Sequence, residues 1–95
     1  MKIPTIHLNG TSGEALVEQY QDAVVAVCNA IDAMCDAGPN ARDYYPQGPD
    51  AALEAQREHE DRVKSLKAVR DQLFAIREGI QEQLDARDAQ RRARS

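Results

Sequence analysis

Two long stretches without proline are separated by Gly38–Asp50, which reads GPNARDYYPQGPD and holds three of the four prolines and two of the three tyrosines. This break limits what the chain can become. Glycine followed by proline ends a helix, because glycine takes the left-handed closing conformation and proline cannot continue the hydrogen-bond ladder. Gly48-Pro49-Asp50 then restarts one, with Asp50 as a cap or a first-turn acid that complements the dipole. The flanking segments are therefore separate elements, and so short a link folds the second back along the first.

Both segments carry helical periodicity. In the first, Tyr20, Val24, Val27, Ile31 and Met34 recur at alternating spacings of four and three, a heptad seam. Ala23, Ala26, Ala30, Ala33 and Ala37 form a second stripe one residue earlier, while Cys28 and Cys35 widen the apolar arc on the other side. An arc this broad exceeds what one partner needs, so the helix is expected to pack on two neighbours. Thr11-Ser12-Gly13-Glu14 fits a capping box with Thr11 as the cap. In the second segment the seam reads His59, Val63, Leu66, Val69, Leu73, Ile76, Ile80 and Leu84, with Phe74 just off it. Gly79 is a weak point of about 1 kcal/mol relative to alanine.

The expected fold is all-α: an antiparallel helical hairpin of two long helices with a short extended N-terminal arm, self-associating into a helical bundle. The expected boundaries are 1–10 for the arm, 11–37 for the first helix, 38–49 for the loop, 50–88 for the second helix and 89–95 for a basic flexible tail. Within the arm, Ile3, Ile6 and Leu8 make an extended run too brief for a sheet. Helix lengths of ~37 Å and ~57 Å follow from the rise per residue. On those lengths the first helix covers the second only to about Leu73 or Phe74. Phe74, Ile76, Ile80 and Leu84 then fall beyond it, and a second protomer is expected to shelter those that the arm does not. An antiparallel two-chain four-helix bundle is the simplest such assembly.

Composition narrows the function. At 95 residues with 4% aromatics the core is thin, so association is expected to supply burial. The net charge of -4 argues against a footprint for DNA or RNA over the whole molecule. Residues 1–62 hold 11 acids and 4 bases, and residues 63–95 hold 5 acids and 8 bases. Such an asymmetry lets protomers attract one another, although solubility is the commoner reason for it. The N-terminus lacks the apolar core of a signal peptide, and no run reaches the ~18–20 apolar residues of a membrane span. Cys28 and Cys35 lie seven apart on one helical face, too far for an intrachain disulfide. They read as buried, reduced thiols, and the expected setting is the cytoplasm.

The loop is the candidate partner- or ligand-binding site, through Asn40, Arg42, Asp43, Tyr44, Tyr45 and Gln47. Tyrosine offers large, rigid contact area and arginine a forked donor. The same residues fit a second reading, a clamp for a phosphate and a stacked base. The plainer reading packs a tyrosine over the hairpin end and pairs Arg42 with Asp43 or a helix C-terminus. Tyr45-Pro46 is a bond at which a cis peptide costs little. Residues 7–12 place amides at a helix N-terminus, an anion position unless Thr11 merely caps it. His7, His59 and the two cysteines lack metal-ligand spacing, and no catalytic motif is present, so no metal, cofactor or catalytic residue is expected. The arginines at 87, 91, 92 and 94 read as a solvated tail rather than a nucleic-acid patch.

The phrases IHLNGTS at 6–12 and PNARDYYPQG at 39–48, joined by an alanine-rich helix, resemble small helical-hairpin proteins of uncharacterised role encoded by tailed bacteriophages and prophages. The resemblance extends to about Glu82 and brings no residue roles with it. It implies a phage context: a cytoplasmic accessory protein, an inhibitor of a host system, or a small virion component. The chain therefore fits three functions. The first is a non-catalytic, homo-oligomeric interaction module, most simply a dimer, that meets an unidentified protein through its Tyr/Arg loop. The second is a protein that sequesters a nucleotide or similar anion between protomers, and the third is a structural component of a phage particle.

Overall fold

The computed structural model describes residues 1–94. They form two long helices, α1 (Gly13–Asp36) and α2 (Ala51–Arg94), joined by two short 3-10 turns, Ala41–Asp43 and Tyr45–Gln47. No strand occurs among the described residues. The helices fold back on each other as a hairpin, giving a rod of 72 × 22 × 21 Å.

The helix ends differ from the sequence expectation in ways that local chemistry explains. Ser12, not Thr11, caps α1, its hydroxyl accepting from the amide of Ala15. Glu14 consequently does not reach back to the cap but pairs with Arg87 of α2. The turn His7–Gly10, closed by the Gly10 amide on the His7 carbonyl at 3.2 Å, sets this later start. At the other end α2 does not stop at 88; it stays helical through Arg94. No glycine or proline follows Gly79, and alanine, glutamine and arginine are strong helix formers. Arginines in the last turn also complement the helix dipole. Ser95, at the end of the expected tail, lies outside the described residues.

Register is the main correction. Gly13 is level with Leu84 and Gly38 with His59, so α1 sits about ten residues, or ~15 Å, further along α2 than a direct turn would place it. The loop is the cause. Its two 3-10 turns fold over the first turns of α2, and α1 therefore reaches the stretch expected to lie beyond it. Ile80 is 0% exposed and Leu84 is buried within a single chain, which overturns the expectation that a second protomer must cover them. Ile76 is half-buried, and Phe74 remains 49% exposed.

The arm completes this enclosure. The Ile6 amide donates to Gln83 Oε1 at 2.9 Å, and Gln83 Nε2 donates to the Pro4 carbonyl at 2.7 Å. Ile3 lies over Gly79, where an added Cβ would meet its Cδ1 at 2.7 Å, and Ile6 and Leu84 close on Gly13 in the same way. Two glycines thus form notches for two arm isoleucines, which explains a glycine inside a helix that otherwise has none.

The seam on α2 also differs. Arg70 and Arg77 occupy it with side chains 35% and 25% exposed, while Val69 is turned outward. Alternating steps of three and four from Leu66 reach Arg70, Leu73, Arg77, Ile80 and Leu84, and arginine tolerates such a position by laying its stem along apolar surface. In an antiparallel pair, residues one place before a seam position on each helix share one side and those one place after share the other. The arm covers the first side at Gly79 and Gln83, where it continues the alanine stripe of α1. Ala26, Ala30, Ala33 and Ala37 of that stripe are exposed and Ala23 is half-buried, so within one chain α1 packs on one helix only.

Candidate interaction site at the loop end

The loop takes its shape from side chains that close its own backbone. Asn40 Oδ1 accepts from the Arg42 amide at 3.0 Å and from Arg42 Nε at 3.3 Å. The amides of Asp43 and Tyr44 return to the carbonyls of Asn40 and Ala41, and those of Gln47 and Gly48 to Tyr44 and Tyr45. Gly48 takes φ 112°, a left-handed conformation that lets the chain turn into α2. All peptide bonds of the described residues, Tyr45-Pro46 included, are trans.

The six sequence-derived residues do not converge on one pocket. Tyr44 is half-buried and, with Gln47, Ala51, Ala55, Glu54 and Glu58, lines a hollow of about 230 Å³. Tyr45 points away and is 70% exposed. Asn40 and Arg42 hold each other, so Arg42 does not pair with Asp43 as the plainer reading expected, and Asp43 is exposed. Two carboxylates line the hollow beside Tyr44 and no arginine does. Such a lining repels a phosphate.

At the opposite end of the rod, Arg87 donates to the Glu14 carboxylate. That bond holds the Glu14 pKa below the ordinary glutamate value, and the charge of Arg87 acts the same way. The positive terminus of α1 therefore already has an acid of its own chain beside it. Cys35 corrects the expectation of two buried thiols: it is exposed, and Cys28 is half-buried. Cys35 and His59 border a cleft of about 370 Å³ with Val63, Lys64 and Lys67. Among the described residues no group of three or more His, Cys, Asp or Glu is placed to hold a metal ion, and no helix is long and apolar enough to cross a membrane.

Sequence reasoning missed the arm clamp built from Gln83, Gly79 and Gly13. It also missed Arg77, whose guanidinium lies 5.6 Å from the centroid of the Phe74 ring. The isolated glycine in a strong helix was the signal for the clamp. Compared with known protein families, curated proteins and solved structures, the chain matches none.

Proposed function

We propose that the protein is a non-catalytic, homo-oligomeric interaction module that engages a protein partner through the loop end of the hairpin, as an accessory or inhibitory factor in a phage setting. The observation that carries this reading is Tyr45, a large aromatic side chain 70% exposed on a loop whose backbone is closed on itself. A rigid, exposed tyrosine loses little conformational entropy when a partner covers it, which is how interface anchors gain most of their energy. The nucleotide reading is weaker, because Arg42 is held by Asn40 and acids line the hollow beside Tyr44.

The test compares tagged wild-type protein with Tyr45→Ala in pull-downs from infected or lysogenic cells, alongside a thermal-shift panel of nucleotides. A partner captured by wild type and lost in Tyr45→Ala, with the panel inactive, is the expected result. Equal capture by both proteins, or stabilisation by a nucleotide that Arg42→Ala abolishes, would overturn it.

A further inference from the structure

The two sides of the rod differ. The arm and the 3-10 turns lie against α2 on the side of the alanine stripe, at Gly79–Gln83 and Ala51–Glu58. The other side, built from residues one place after each seam position, carries neither. Its α1 residues include Val25, Cys28, Asp32 and Cys35, and its α2 residues are Glu60, Lys64, Lys67, Asp71, Phe74 and Glu78. Val25 is 47% exposed and Phe74 49%. These are two large apolar side chains left in water, where among the described residues Ile31, Ile80 and Leu84 are the buried large apolar ones. Among the described residues Asp32, Lys64 and Lys67 make no ion pair.

We infer that this face is the surface on which a second copy of the chain docks, with the two hairpins pointing the same way and α1 of each lying on α2 of the other. This inference names the interface of the self-association proposed above and rests on that reading. Three observations select a second copy. The first is charge. α1 has five carboxylates and no basic residue, and the basic residues that α2 offers on this face are Lys64 and Lys67, since Arg62, Arg70 and Arg77 already pair with Glu58, Asp71 and Glu78 of their own chain. Stacking α1 on the partner's α2 joins unlike charges, and stacking like helices does not.

The second is height along the rod. The register set by the Gly13–Leu84 and Gly38–His59 pairs places Asp32 level with Lys64 and Lys67, and Val25 level with Phe74. A two-fold axis along the rod keeps those heights. It therefore sets Val25 on Phe74 of the partner subunit, and Asp32 beside Lys64 and Lys67 of the partner subunit. Each contact occurs twice, as an isologous interface requires.

The third is area. α1 spans ~36 Å and a helix pair is ~20 Å wide, so the footprint is roughly 700 Å² per copy, within the range of stable dimers. Every neighbouring helix pair in the resulting four-helix bundle is antiparallel.

The experiment uses the full chain with Cys28→Ser and Cys35→Ser, adding Val25→Cys and Phe74→Cys. Mild oxidation should give a covalent dimer on a non-reducing gel with the double-cysteine protein, and little with either single-cysteine control. Separately, Asp32→Lys should raise the dimer dissociation constant at least about tenfold in sedimentation, with helicity unchanged. Combining it with Lys64→Glu and Lys67→Glu should restore association. A wild-type protein that stays monomeric at tens of micromolar overturns both the interface and the self-association reading. A wild-type dimer that neither cross-links at 25 and 74 nor shows charge-swap rescue overturns this interface alone.

Discussion

Replacing Gly79 by alanine separates the intrinsic preference of a helix from a tertiary requirement. In an isolated helix the change is stabilising by about 1 kcal/mol, since alanine is the best helix former and glycine among the poorest. Here the new methyl would stand 2.7 Å from Ile3 Cδ1 and 2.9 Å from Ile3 Cγ2, well inside contact distance, so the arm must lift. Ile3 is 42% exposed. Displacing it forfeits roughly half of the ~1.5–3 kcal/mol that a fully buried isoleucine contributes, and the Gln83 bonds to Pro4 and Ile6 loosen with it. The two effects nearly cancel, and Gly79→Ala alone should be neutral or mildly destabilising.

With Ile3→Ala already in place, the obstacle is gone and Gly79→Ala should recover about 1 kcal/mol, or roughly 4–8 °C in Tm for a chain of this size. The assay is a double-mutant cycle by thermal and urea unfolding at one fixed protein concentration, because association makes Tm depend on concentration. Equal stabilisation by Gly79→Ala in both backgrounds would show that Ile3 does not occupy the notch.

Ser12→Ala should cost about 1 kcal/mol by removing the Ala15 cap, whereas Thr11→Ala should fall within about 0.5 kcal/mol of wild type; urea unfolding of the two variants distinguishes them. Ile80→Ala, at a fully enclosed position, should cost roughly 2–5 kcal/mol and lower Tm by at least about 10 °C. A change under about 1 kcal/mol would contradict the enclosure by arm and α1. Arg87 holds the Glu14 pKa down through its hydrogen bond and its charge. The contribution of this pair is therefore complete above the ordinary glutamate pKa of about 4.3, and is lost as pH falls through the lower folded value. Arg87→Ala should move the Glu14 titration upward in side-chain carboxyl NMR and flatten the acid limb of stability below about pH 4.3.

Much of the hairpin was legible because its signals are local. The four-three spacing of Val24, Val27, Ile31 and Met34 marks a helix wherever it occurs, and Gly38-Pro39 stops it for reasons confined to two residues. The loop was legible as a loop, whereas Asn40 was read as a binding candidate and instead closes the turn on its own backbone. Its six candidates were not legible as a group, because splaying Tyr45 outward while setting Tyr44 at a hollow shared with Ala51 and Ala55 depends on how the 3-10 turns meet α2. Val69 and Arg70 illustrate a different difficulty. Hydropathy favours the valine for the seam, but strict heptad steps place the arginine there, and its long stem makes that tolerable.

The sequence alone determined that there are two helices, where the chain breaks between them and which face of α1 carries the seam. Those properties depend on residues within a turn or two of one another. Only the tertiary structure decided the register, and with it the fate of Ile80 and Leu84. Folding the loop back over α2 slides α1 by about ten residues, a displacement that preserves the helical pattern of either segment and so leaves no mark in it. Leu84 meets Gly13, and Ile3 meets Gly79, across more than seventy residues of chain.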